Sequence, residues 1–362
     1  MALTIYTDIP DTCYTSQLQK IEIGATTNTI YLSIIHQATS WISGNGQTVI
    51  FQSEYATHND SVTIYDIGSF LEAFMEQMDG LQRFIFKFST ESEIINRNYA
   101  VIYCKQQPPM PAADLANSNF ITNYFTRLVY RDAHDRLPYF AGFGLPGGYT
   151  SYSLHYTVLY RTPIGTIGTY ETDRYGRAGY GVSYLNTSPE TVYLLCKDAL
   201  PQGAEIFSYT LRHDNRIARF FVTEQTVVRQ FVFRNIYGCL EYLCVPTARM
   251  EKTETKSSTA VCGDNRMLYD ITHIRTFEEQ TPILQLAEAR RFGEFLTSAY
   301  TAVLIDETEY PILITDYGIA FSDTVGEGNK IKFSWQFTSL HTPLVSEDYT
   351  RIFSPEHTEP FT

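Results

Sequence analysis

The sequence lacks most of the signatures that would assign it a chemistry. Its six cysteines, Cys13, Cys104, Cys196, Cys239, Cys244 and Cys262, are scattered, and none stands in CxxC spacing. That argues against a zinc site, and a chain this long has no need of a disulfide scaffold. Buried free thiols are the ordinary reading. No stretch approaches the ~20 apolar residues that span a bilayer. The first residues lack the basic and apolar regions of a signal peptide and read as a strand, so synthesis in a cytoplasm without export by the signal route is expected. Positive charge is in short supply: 27 Lys and Arg against 40 Asp and Glu leave a net charge of −13. A nucleic-acid binder needs a basic footprint, and docking on anionic membranes needs one too. Neither partner is expected.

Catalytic patterns are equally scarce. There is no Gly-x-Ser-x-Gly elbow, no His-Glu-x-x-His and no calcium-loop spacing. The glycines between Phe140 and Tyr149 lack the Gly-Lys-Ser/Thr ending of a phosphate loop. His134-Asp135 and His213-Asp214 are adjacent in sequence, a poor arrangement for a base and its orienting acid. Plentiful carboxylates could supply a glycosidase pair, but nothing in the spacing selects two of them. No catalytic residue, metal ligand or cofactor is therefore assigned, and a non-enzymatic role is expected.

Aromatic residues are what the chain has in abundance: 27 Tyr and 23 Phe, though only 2 Trp. Flat rings pack well on pleated surfaces, so this composition favours strands. Tyr also suits interfaces, because it joins a large apolar body to a polar tip.

The patterning predicts a mainly β (β+α) fold with two β-sandwich-like units and a C-terminal module of one helix on an antiparallel sheet. Residues 1–107 form the first unit, with strand-like runs at Leu3–Tyr6, Leu18–Ile23, Thr29–Ile35, Thr48–Phe51, Val62–Tyr65, Phe84–Phe88 and Ile94–Cys104. Asn45-Gly46 is a strong hairpin turn. Ile67, Phe70, Leu71, Phe74 and Met78 take helical spacing, with Asp66 or Ser69 as the cap. Residues 108–123 are a Pro-rich linker expected to be extended. Residues 124–245 form the second unit, with strands at Thr126–Tyr130, Ser153–Tyr160, Val182–Leu185, Thr191–Cys196, Glu205–Leu211, Ile217–Val222 and Thr226–Phe233. Its Gly- and aromatic-rich stretches, 140–149, 164–170 and 175–181, read as exposed loops or arms.

Residues 246–340 form the module. Its polar segment 250–260 has no core signal and reads as a flexible loop or a hairpin arm. Thr281-Pro282 opens a helix whose apolar stripe is Ile283, Leu286, Ala289, Phe292, Leu296 and Ala299. Glu288, Arg291, Glu294 and Ser298 fill its polar side. Strands follow at Val303–Ile305 and Ile312–Thr315, and Lys330–Phe337 alternates strictly, with Ile331, Phe333, Trp335 and Phe337 on one face. Residues 341–362 form an extended tail with Phe353 and Phe361 as isolated anchors. The candidate interface residues are Tyr149, Tyr170, Tyr175, Arg177, Tyr180, Phe353 and Phe361. Arg174 and Arg177 together can grip an acidic partner.

Short phrases carry a family resemblance over roughly residues 228–340. They are Phe231–Glu241, then Thr281–Leu284 with a helix ending Leu296–Ser298, then Tyr310–Asp316 and Lys332–Thr338. This stretch resembles tail- or baseplate-associated virion structural proteins of phages and prophages of gut anaerobes. The resemblance implies a non-enzymatic, β-rich subunit of a virion, assembled in the host cytoplasm in multiple copies with itself and other tail proteins. A carbohydrate- or receptor-binding β-sandwich protein is the alternative that the aromatic richness keeps open.

Overall fold

Alternation sets the first unit. In the strand Thr29–Gln37, Ile30, Leu32 and Ile34 are fully buried while their neighbours face outward. The computed structural model describes residues 3–37, 46–76, 78, 80–106, 108, 110–117, 120–142, 148–213, 216–223, 229–244, 248–262, 265–319 and 328–338. Strands take 58% and helices 13% of the described residues, so the fold is mainly β, as the patterning predicts.

The first unit contains β1 (Thr4–Ile5), β2 (Thr12–Tyr14), β3 (Lys20–Gly24), β4 (Thr29–Gln37), β5 (Gln47–Ala56), β6 (Ser61–Tyr65), helix α1 (Ile67–Met75), β7 (Leu81–Ser89) and β8 (Ile94–Ile102). A three-stranded sheet, β1-β3-β6, and a five-stranded sheet, β2-β8-β7-β4-β5, enclose a core that includes Ile21, Ile23, Leu32, Phe84, Phe86 and Val101. Ile67, Leu71 and Met75 bury the apolar stripe of α1. Asp66, not Ser69, stands at the N-cap of this helix. Asp66 takes a left-handed conformation, φ 63°, and makes no capping hydrogen bond. The Asn45-Gly46 turn falls partly outside the described residues, but Gln37 pairs with Gln47 across it. β7 and β8 pair in one unbroken register, Leu81 opposite Ile102 through Ser89 opposite Ile94.

The second unit contains α2 (Ala112–Asn117), β9 (Thr126–Tyr130), β10 (Arg136–Phe140), β11 (Tyr149–Arg161), β12 (Ile167–Gly179), β13 (Val182–Asn186), α3 (Pro189–Cys196), β14 (Glu205–His213) and β15 (Arg216–Thr223). A five-stranded sheet, β12-β11-β14-β15-β9, faces the pair β10-β13. Leu154, Tyr156, Val158, Tyr209, Leu211 and Phe220 build the core between them. Two expectations fail here for identifiable reasons. Thr191–Cys196 is helical, because Ser188 accepts the Thr191 N–H and Pro189 sits at the first helical position. Residues 167–179 are a strand instead of a loop, for a reason given below.

The module contains β16 (Gln230–Arg234), β17 (Leu240–Cys244), β18 (Ala248–Cys262), β19 (Asn265–Gln280), α4 (Leu286–Leu296), β20 (Thr301–Ile305), β21 (Thr308–Gly318) and β22 (Lys332–Phe337). These strands form one seven-stranded sheet, β17-β16-β20-β21-β22-β19-β18. Because β16 pairs with β20, residues 230–244 belong to this module and not to the second unit as expected. Asp306 and Glu307, at φ 47° and 64°, make the tight turn between β20 and β21. The alternation of the last strand holds for Ile331, Phe333 and Trp335, which are buried. The helix begins at Leu286 and not at Thr281-Pro282, since Thr281 instead joins the sheet, exchanging hydrogen bonds with Ile331 through its backbone N–H and its hydroxyl. Ile283 and Ala299 are consequently exposed, while Phe295 joins Phe292 and Leu296 in the core.

A further apolar cluster ties the three units together. It contains Tyr14, Leu81, Ile102 and Cys104 from the first, Phe140 from the second, Tyr237 and Cys239 from the module, and Ala112, Leu115 and Ile121 between them. The expected extended linker is therefore folded into a junction. The Tyr14 hydroxyl donates to the Met110 carbonyl at 2.9 Å, and the Asn235 side chain donates to the Ile121 carbonyl at 2.8 Å. At Gly80 an added Cβ would lie 1.5 Å from the Tyr237 carbonyl oxygen, which is backbone and cannot rotate away. Gly80→Ala is expected to lower the melting temperature by several degrees, whereas Gly318→Ala, with open space around it, should leave the temperature within about a degree or two; thermal unfolding of both variants checks this.

Candidate functional site

Charge at the junction is paired and dry. Arg127 on β9 is fully buried and bonds to two carboxylates, Asp135 at 3.2 Å and Glu241 of β17 at 2.8 Å. Arg291 on α4 lies 3.5 Å from the same Glu241 oxygen and 3.9 Å from Asp135. Thr187 donates to Asp135 at 2.6 Å, and Asn235 donates to Glu241 at 2.8 Å. Burial alone would raise the Glu241 pKa. The two guanidinium groups and the Asn235 amide overcome it and hold the carboxyl below its usual value. Two acids converge here, and each is bonded to the buried Arg127 guanidinium. The sequence reading placed Arg291 on the solvated side of the helix; it is instead a buried partner of Glu241.

Glu294, one turn along α4, behaves in the opposite way. Burial, and then repulsion from Glu241, raise its carboxyl from the ordinary 4.5 to about 7. Asn123 donates to it at 3.2 Å and accepts from the Tyr237 hydroxyl at 2.5 Å. Beside it is a cavity of about 150 Å³ lined in part by Glu76, Lys105 and Arg234. A larger concavity of about 710 Å³ lies between Arg131, His134, Glu190, Tyr193 and Glu205 on the second unit. Burial pushes the Cys13 thiol up to about 12 and that of Cys104 up to about 11. No group of three or more His, Cys, Asp and Glu among the described residues is placed to hold a metal ion. Asp135, half of the first His-Asp pair, is committed to Arg127, while the other half, His134, is exposed. His213 bonds to the Ser153 carbonyl and the Tyr139 hydroxyl, and Asp214 lies outside the described residues.

The candidate interface residues gather on one ribbon. Strands β11 and β12 pair over thirteen positions, Tyr149 opposite Gly179 through Arg161 opposite Ile167. Directly opposed residues share a face. Tyr149, Tyr175 and Arg177 therefore stand on one face, with Tyr149 and Tyr175 exposed by 65% and 74%. Tyr170 stands on the other face and packs against the core of the second unit. Tyr180 is half-buried just after β12, its N–H donating to the Gly148 carbonyl. Arg174 and Arg177 point to opposite faces, so they do not grip a partner together. Phe353 and Phe361 lie outside the described residues.

A second ribbon takes the hairpin-arm form, one of the two readings of the polar segment. The polar segment 250–260 is strand β18, and it pairs with β19 of its own chain. The neighbouring strand β22 pairs with β19 only over Phe277–Gln280, and its Gln336 donates to the Thr276 hydroxyl at 2.7 Å. Beyond Glu251, opposite Phe277, no third strand among the described residues pairs with the ribbon. Those eleven further residues of β18 reach roughly 36 Å at the rise of a strand. Arg249, at the base, lies 4.0 Å over the Phe277 ring.

No family model matches the chain, and no curated protein matches it. Solved structures similar to parts of it include the calcium binding domain CBD12 of CALX1.1, at 7% identity over 62% of this chain and 97% of that one, with a TM-score of 0.18. Trypsin-activated alpha-2-macroglobulin from Escherichia coli matches at 7% identity over 88% of this chain and 32% of that one, with a TM-score of 0.19. The extracellular region of plexin A4 matches at 8% identity over 94% and 40%, with a TM-score of 0.19. The chain thus spans a third to two-fifths of the last two. Likenesses this weak carry no argument about fold or function.

The Glu294 carboxyl has a stability consequence. Its pKa is raised in the fold, so between about 4.5 and about 7 the folded chain holds a proton that the unfolded chain has released. Stability is therefore lost as pH rises through that window and levels off above it. Glu294→Gln should remove the loss, making the variant more stable than the parent at pH 8 by an amount on the order of 1–3 kcal/mol, with the difference vanishing near pH 4. Urea unfolding of both proteins across pH 4–8 measures it.

Proposed function

We propose that this chain is a non-enzymatic structural subunit of a phage tail, baseplate or tail-like particle, working in multiple copies in the virion. The β18–β19 ribbon is the observation that carries the reading. An unsupported two-stranded ribbon is marginally stable in water. One that runs eleven residues past its sheet is suited to lie against another subunit, where its exposed strand backbone and polar side chains find partners. The junction supplies the complementary property, because three units locked by buried charge and apolar packing hold the ribbon bases in fixed relation. The phrases of residues 228–340 that resemble tail and baseplate proteins all fall within or beside the sheet from which this ribbon emerges.

Replacing residues 252–276 by a two-residue Asn-Gly turn tests the proposal. The shortened chain should keep its unfolding free energy within about 1 kcal/mol, since no third strand is lost. It should fail to enter particles when expressed in a host carrying the rest of the tail genes, as read by mass spectrometry of purified particles. A full-length chain that is never found in particles would refute the assignment.

A second reading has one observation in its favour: Tyr149 and Tyr175 share an exposed face with Arg177, as residues that stack on sugars do. It requires binding on a glycan array that Tyr175→Ala abolishes. An array with no signal up to millimolar sugar excludes it.

A further inference from the structure

Strand edges are normally protected, because an unpaired row of N–H and C=O groups invites another strand. Two of the long edges here follow that rule. β18 carries Lys252 and Lys256 and loses register with β19 between Ser258 and Thr259. β5 is bulged at Ile50, opposite Ile34 and Ile35. β12 has no such protection. It is an outer strand of its sheet, its thirteen residues hold one unbroken register with β11, and it contains neither proline nor lysine. Its two interior glycines would ordinarily weaken it. Instead Tyr160 lies over Gly168 and Tyr152 over Gly176, each ring so close that an added Cβ would sit 2.4 Å from it. Such tyrosines restore regular pairing to edge glycines.

We infer that β12 is the contact between two copies of this chain, which pair edge to edge and antiparallel about a twofold axis through Tyr175. The inference deepens the multi-copy reading above and rests on it for its setting. Charge complementarity selects both occupant and register. The outward face of β12 reads Ile167, Thr169, Glu171, Asp173, Tyr175, Arg177. An antiparallel copy centred on Tyr175 places Asp173 opposite the partner's Arg177 and Arg177 opposite the partner's Asp173. Tyr175 meets the partner's Tyr175 on the axis, and Arg174 meets the partner's Gly176. Centring on Arg174 would oppose two arginines, and centring on Asp173 would oppose two carboxylates, which is unfavourable in cross-strand pairs. The Tyr175 register is isologous, as a closed dimer requires. It joins two five-stranded sheets into one of ten strands.

Sedimentation of the full chain and charge-swapped variants tests this. Asp173→Arg and Arg177→Asp each set like charges opposite each other twice, and each should weaken self-association about tenfold or more. The double variant restores both pairs with signs exchanged and should recover it. Tyr175→Cys should form an intermolecular disulfide on mild oxidation, because opposed Cα atoms lie within disulfide reach, roughly 4.5–5.5 Å. Arg174→Cys should not, and the parent chain run alongside reports any cross-link through its own thiols. Self-association unchanged by either single swap would overturn this interface while leaving multi-copy assembly standing. A chain that stays monomeric up to about 100 μM would also overturn it, and the particle assay then decides on assembly separately.

Discussion

Two arginines and two carboxylates at the centre of the molecule, cut off from water, constrain everything around them. Removing charges from water is costly, and only mutual contact with further hydrogen bonds offsets that cost. Arg127 arrives on β9, Asp135 just before β10, Glu241 on β17 and Arg291 on α4. Arg127 and Asp135 pair within the second unit and Arg291 and Glu241 within the module, and the 2.8 Å bond of Arg127 to Glu241 joins the two pairs when the units meet. Removing one member leaves an orphaned charge in a dry interior, a loss of the kind that costs 3–5 kcal/mol in buried pairs. Apolar packing supplies the adhesion across the junction, while the ionic cluster specifies the relative placement. The adjoining Arg136, held between the Tyr184 and Tyr242 rings at 4.9 and 4.4 Å, extends the same logic to β13.

The fold was legible wherever one face of an element met water. Strands such as β4, β7 and β22 alternate cleanly, and α1 shows its stripe, so local pattern and tertiary environment agree. Legibility failed where the decisive contact is distant in sequence. Glycines at 168 and 176 look like loop residues until Tyr160 and Tyr152 are seen lying across them. Arg291 and Glu294 look like a solvated helix face until β17 and residue 123 are brought against it. Residues 108–123 look like a spacer because nothing local reveals that Tyr14 and Asn235 bond to their backbone. The helix α3 was the one miss with a local signal: Ser188-Pro189-Glu190 is a readable start.

The candidate interface was half legible. Exposed tyrosine and arginine in a Gly-rich stretch single out the β11–β12 ribbon, but strand alternation decides which of those residues face outward together. Tyr175 and Arg177 do, and Tyr170 and Arg174 do not. For the polar segment 250–260 composition was silent in a different way. A strand polar on both faces carries no periodic signal, since neither face is buried, and only its pairing with β19 defines it.

The junction also orders events in time. Tyr14 stacks on Tyr237, so the surroundings of Tyr14 cannot be completed until a residue more than two hundred positions later leaves the ribosome. At ~5–20 residues per second that interval is roughly ten to forty-five seconds. During it the apolar side chains of Tyr14, Leu81 and Ile102 wait uncovered. A nascent chain of this design has a long exposure to chaperones built into its wiring, and its units take their fixed relation only after Tyr237 and Cys239 have emerged.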